Sequence, residues 1–185
     1  MLVELLRMWD ETLERHAPAS WASLAPGLAR TDISRRLEAL GIAAPEELIV
    51  WWEWHNGHLP GVQHGLRPAQ MSLSQAESDY MGMSLGHGPD QWDSHWVEVA
   101  GEGWKWSIAV RCATAGEVVV RGISPELGVT THGDHPTRQA ISLCTLVVLW
   151  LHAIDAGWYR ANEQTGFLDY SWDGMPAEWL HSGLV

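Results

Sequence analysis

Residues 30–57, RTDISRRLEALGIAAPEELIVWWEWHNG, hold two helices back to back, each with its own start and stop signal. Thr31 or Asp32 is placed to cap the first, and Ile33, Leu37 and Leu40 put apolar groups on one face at helical spacing. Gly41 ends it, because glycine accepts the left-handed conformation that closes many helices. Pro45 opens the second helix where its missing N–H is no loss, and Glu46 and Glu47 follow in the first turn, where the helix dipole favours negative charge. Leu48, Trp51 and Trp52 form its buried face, and Asn56-Gly57 is its stop. The segment commits the front of the chain to helices.

The rest of the chain extends this pattern. Leu2, Leu5, Trp9 and Leu13 form a stripe that predicts a helix over Val3 to His16. A loop with Pro18, Pro26 and Gly27 joins it to the helical pair. Beyond the Gly/Pro/His-rich stretch HLPGVQHG, an extended piece is expected around Leu66 to Met71. Ser74-x-x-Glu77 is a capping-box pattern, which predicts a short helix over Gln75 to Met81, with a glycine-rich loop from Gly82 to Asp90. Trp96 to Val99 and Trp104 to Val110 flank Gly101-Glu102-Gly103 and read as a hairpin, with Trp104, Trp106, Ile108 and Val110 on the inner face. Ala115-Gly116 turns the chain into Glu117 to Arg121, which makes a meander of at least three strands. Pro136 starts a last long helix, Thr137 to Ala156, which Gly157 ends, and its run LCTLVVLWL is apolar nearly all round. Phe167, Tyr170, Trp172 and Trp179 should pack the tail on the body. These elements predict an α+β fold with N-terminal helices, a central antiparallel β-meander and a long buried C-terminal helix packed on the sheet. With no linker or repeat in view, residues 1–185 read as a single domain, its core over about 1–160 and a packed extension over 161–185.

The order of a helix with L-E-x-L-G, a proline-started helix, several aromatics and then N-G resembles the SUKH superfamily. That resemblance implies an α+β fold of this layout. It also implies a protein-binding role: the founding members are fungal regulators of cell-wall synthesis, and many bacterial members are immunity proteins that neutralise toxins of polymorphic toxin systems. The histidine-rich stretch after N-G and the tail beyond about Arg160 depart from the family pattern.

Composition narrows the partner. The formal net charge is −12, with Lys105 the one lysine, so the surface repels nucleic acid and anionic membrane and draws a basic partner. Thirteen tryptophans against one phenylalanine supply core and interface anchors alike. Cys112 and Cys144 are isolated, and read as buried apolar residues of a reducing cytoplasm. The N-terminus lacks the basic region and cleavable apolar run of a signal peptide, and Ile141 to Ile154 is too short to span a bilayer, so a cytoplasmic protein without membrane association is expected.

Chemical motifs fare poorly. Gly82-Met83-Ser84-Leu85-Gly86 matches G-x-S-x-G, but the nucleophile elbow needs a strand before it and a βαβ framework around it. His55, His58 and His64, and His132, Asp134 and His135, have the ligand types for zinc without its usual spacings. No phosphate-binding glycine loop or basic patch is present. The expectation is a protein that is not an enzyme and has no cofactor and no metal: an immunity protein that covers the active surface of a basic toxin domain. Asp90, Trp92 and Asp93 are its candidate partner contacts. The alternative is a regulatory or scaffold domain in cell-envelope or intracellular signalling.

Overall fold

A computed structural model describes residues 1–62, 69–86, 96–101, 107–112, 119–123, 141–171 and 174–175. Helix α1 (Leu2–His16) buries Leu2, Leu6, Trp9 and Leu13, so Leu6 takes the central place expected of Leu5, which lies at the margin. A short α2 (Pro18–Ala22) follows, then β1 (Leu24–Pro26). The two expected helices are α3 (Arg30–Ala39) and α4 (Glu46–Trp54). Neither Thr31 nor Asp32 caps α3. Ala29 is the N-cap residue, its carbonyl takes the first two amide bonds, and Asp32 inside the first turn pairs with Arg35 instead. The stop is as expected: Gly41 has φ +76°, its N–H donates to the Glu38 carbonyl, and Ile42 N–H donates to that of Leu37. This double closure uses otherwise unpaired end carbonyls and brings the buried Ile42 and Leu37 together.

Helix α4 does not run to Asn56-Gly57. It stops at Trp54, and His55 turns at once into the extended β2 (His55–His58), which pairs antiparallel with β1. Gly57 has φ +76° there, and a β-carbon on it would lie 2.6 Å from the Ser72 backbone nitrogen. Helix α5 (Leu73–Gly86) is longer than the capping box suggested. Ser72 is the residue that caps it, accepting the Gln75 N–H at 3.1 Å, while Ser74 and Glu77 turn outward to Arg36 of α3. The run Met81-Gly-Met-Ser-Leu-Gly therefore forms the last helical turns and not a loop.

Strands β3 (Trp96–Gly101), β4 (Ser107–Arg111) and β5 (Val119–Ile123) form the antiparallel meander in the order β3-β4-β5. Residues 69–71 pair along the other side of β3, through Met71 N–H to the Val99 carbonyl and Gly101 N–H to that of Ala69. Val97, Ile108 and Val110 join the main core, as the alternation of Ile108 and Val110 predicts. Trp96, Glu98 and Ala109 on the opposite face are buried as well.

Helix α6 (Leu143–Asp155) begins at the Ser142 cap, whose Oγ accepts Thr145 N–H, and the expected start at Pro136 and Thr137 lies outside the described residues. Gly157 closes it by the same two bonds that close α3, from Gly157 to Ile154 and from Trp158 to Ala153. Trp150 meets Trp9 of α1 at 5.6 Å and Trp51 of α4 at 5.8 Å, so one indole joins three helices. α6 is not enclosed all round: Val148 is 48% exposed. The chain ends its described course in a hairpin of β6 (Tyr159–Ala161) and β7 (Leu168–Tyr170), tied back to α2 by Leu168 N–H on Ser20 Oγ. The fold is α+β, and one hydrophobic cluster runs from Leu2 to Leu168.

Candidate functional site

Two polar clusters lie where helices meet strands. The first surrounds β2. Because α4 passes into β2 without a loop, Trp54 and His55 are held side by side, ring edge on ring face at 4.8 Å. Both reach Asp10 on α1: Trp54 Nε1 donates to Oδ2 at 2.8 Å, and His55 Nε2 lies 3.2 Å from Oδ1. His55 Nδ1 lies 2.9 Å from the Ala25 carbonyl in β1. Three residues on, His58 Nδ1 lies 3.1 Å from Ser23 Oγ. Burial first, and then the charge of His55, hold His58 below its ordinary value. Asn56 Oδ1 accepts Leu73 N–H, and Gln70 Nε2 donates to the His55 carbonyl, so β2 also positions the start of α5 and the edge of the meander.

The second cluster is in the sheet. Glu98 is 7% exposed on β3, with Ser107 of β4 on the same face. Burial pushes its carboxyl up to about 7; the Ser107 hydroxyl opposes the rise and the charge of Asp79 on α5 adds to it. Asp79 is itself raised by burial, against the Gln75 amide that donates to its Oδ1 at 2.8 Å. Glu98 is thus a carboxyl that gains or loses its proton near neutrality, a property that elsewhere marks reactive sites and proton-linked switches.

The remaining charge is on the helical side. Arg30 forks between Glu46 (2.7 Å) and Glu53 (2.8 Å), bonds that raise its guanidinium further and hold Glu46 below the carboxylate range. Arg7 is paired with Glu4 and Glu11, Arg35 with Asp32 and Arg36 with Glu77. Arg160 donates to the Gly157 carbonyl, and Arg15 is left exposed at the end of α1. Glu14, Glu38, Asp155 and Glu163 are exposed and make no ion pair among the described residues.

Asp90, Trp92 and Asp93 lie outside the described residues, as do His64, His132, Asp134 and His135. His55 and His58 turn their rings to different partners, and no three His, Cys, Asp or Glu side chains among the described residues are grouped to hold a metal ion. The G-x-S-x-G residues sit in α5, not on a strand-to-helix turn. No helix among the described residues is long and apolar enough to cross a membrane. Sequence reading passed over Asp10 and Glu98. An acid inside the apolar strand WVEVA was the available signal for Glu98; nothing local marked Asp10, whose partners lie 44 and 45 positions away.

Compared with known proteins, the chain matches no family model and no curated protein.

Proposed function

We propose that this chain is a non-enzymatic protein-binding module of the SUKH type, an immunity protein that covers the active surface of a basic toxin domain. The observation that carries the reading is how the charge is arranged. Among the described residues, Arg7, Arg30, Arg35 and Arg36 are neutralised within the chain, while Glu14, Glu38, Asp155 and Glu163 are exposed and make no ion pair. A surface that pairs most of its described arginines and keeps surplus carboxylates attracts a basic partner over a Debye length and speeds the encounter. The order of α3, Gly41, α4 and Asn56-Gly57 ahead of a meander supports the SUKH likeness. Asp90, Trp92 and Asp93 remain the proposed contacts, with Trp92 as the aromatic anchor between two acids.

The test is a pull-down with the tagged full chain from its source organism, washed at low and at high salt and read by mass spectrometry. One basic, toxin-like protein retained in near-equal amount, and lost at high salt from an Asp90→Lys/Asp93→Lys variant, supports the reading. A set of envelope or signalling proteins would replace it with a regulatory or scaffold role.

A further inference from the structure

The two histidines of β2 sit in different hydrogen-bond surroundings. His55 faces the Ala25 carbonyl at Nδ1 and the Asp10 carboxylate at Nε2. Both partners accept, so both bonds form together only when each ring nitrogen carries a hydrogen. His58 is different. The Ser23 hydroxyl donates to the Ser20 carbonyl at 2.6 Å, which leaves its oxygen to accept from His58 Nδ1. His58 Nε2 is buried with no partner among the described residues, so a second proton there would find no acceptor.

The charged groups around the pair sharpen the contrast. From α1, Asp10 faces His55; β1 contributes only the neutral Ala25 carbonyl. His58 faces the neutral Ser23 and, along β2 itself, His55, whose charge when protonated disfavours a proton on His58. The Glu53 carboxylate just before β2 is engaged by Arg30.

We propose that β2 is an acid-released clasp: with His58 neutral it holds β1 against the strand, and a proton on His58 unlatches β1 and residues 59–62. The bonds that would part are His58 to Ser23 and the amide of Leu59 to the Ser23 carbonyl at 2.8 Å. The sign follows from linkage. An opened His58 titrates near 6.5 and a closed one lower, so closure is unaffected above that pH and weakens as pH falls below it, by up to about tenfold per unit. The clasp is independent of the partner-binding reading.

The experiment uses the full chain labelled with 15N. Side-chain NMR at pH 7.5 should find His58 protonated at Nδ1 alone. Hydrogen exchange of the Leu59 amide, corrected for intrinsic rate, should then show opening that rises between pH 6.5 and 5, while the Trp158 amide on the Ala153 carbonyl does not follow it. His58→Asn, whose amide nitrogen takes the place of Nδ1, should remove the rise. A His58 protonated at Nε2, Leu59 opening that is flat with pH, an equal rise at Trp158, or an unchanged slope in His58→Asn would each overturn the clasp. Were that variant unable to fold, the wild-type tautomer and slope decide alone.

Discussion

Gly27 lies so close to the carbonyl of Glu53 that a β-carbon at this position would come within 1.8 Å of that oxygen. The neighbouring Leu28 N–H donates to the Trp52 carbonyl at 2.8 Å, so backbone meets backbone where the loop before α3 docks on the last turn of α4. Gly27→Ala must push these two backbones apart. A loss of about 3 kcal/mol is expected in urea unfolding, and a variant as stable as the parent would show that the loop can stand off without cost.

Glu98 sets a pH dependence opposite in sign to that of His58. Its carboxyl is raised from 4.5 to about 7, so the folded chain holds that proton more tightly than the unfolded one. The stabilisation is complete below pH 4.5 and is lost as pH rises through 7, a swing of at most about 3 kcal/mol. Glu98→Gln should flatten that slope in denaturant titrations from pH 5 to 8 and be the more stable protein at pH 8. A slope equal to the parent's would assign the dependence to other groups.

Trp150 is 1% exposed and in contact with both Trp9 and Trp51. Trp150→Ala removes the shared wall of α1, α4 and α6. The expected cost is about 4 kcal/mol, measured as the shift of the unfolding midpoint.

Arg36 and Glu77 link α3 to α5 from positions only about a fifth exposed, and Arg36 also donates to Ser74 Oγ at 2.9 Å. Arg36→Ala leaves a half-buried carboxylate without its donor, which should cost about 2 kcal/mol. Arg30→Ala, at the exposed fork, should cost less and lose its effect in high salt. Parallel thermal melts at two salt concentrations separate the two cases.

What could be read from the sequence was local. The stops at Gly41 and Gly157 are visible because a single residue supplies the backbone conformation, and both close in the same way. The meander is visible because apolar strands are punctuated by glycine. Starts were harder. Ser72 and Ser142 cap α5 and α6 by short bonds that any serine nearby could have made, and Ser74 and Pro136 offered better-known patterns. The Asp10, Trp54 and His55 cluster joins parts of the chain that only tertiary packing brings together. Glu98 owes its shift to cover on both faces of β3, which strand alternation alone does not reveal.

Cys112 and Cys144 are both free and both buried, and burial pushes the Cys112 thiol up to about 12. Since only the thiolate attacks, the folded chain is nearly inert to alkylating reagents at neutral pH. Each thiol therefore becomes a clock for its own neighbourhood, one at the end of β4 and one in the first turn of α6. Labelling both at one rate would mean that sheet and helix open as a unit; two rates would show which layer lets go first.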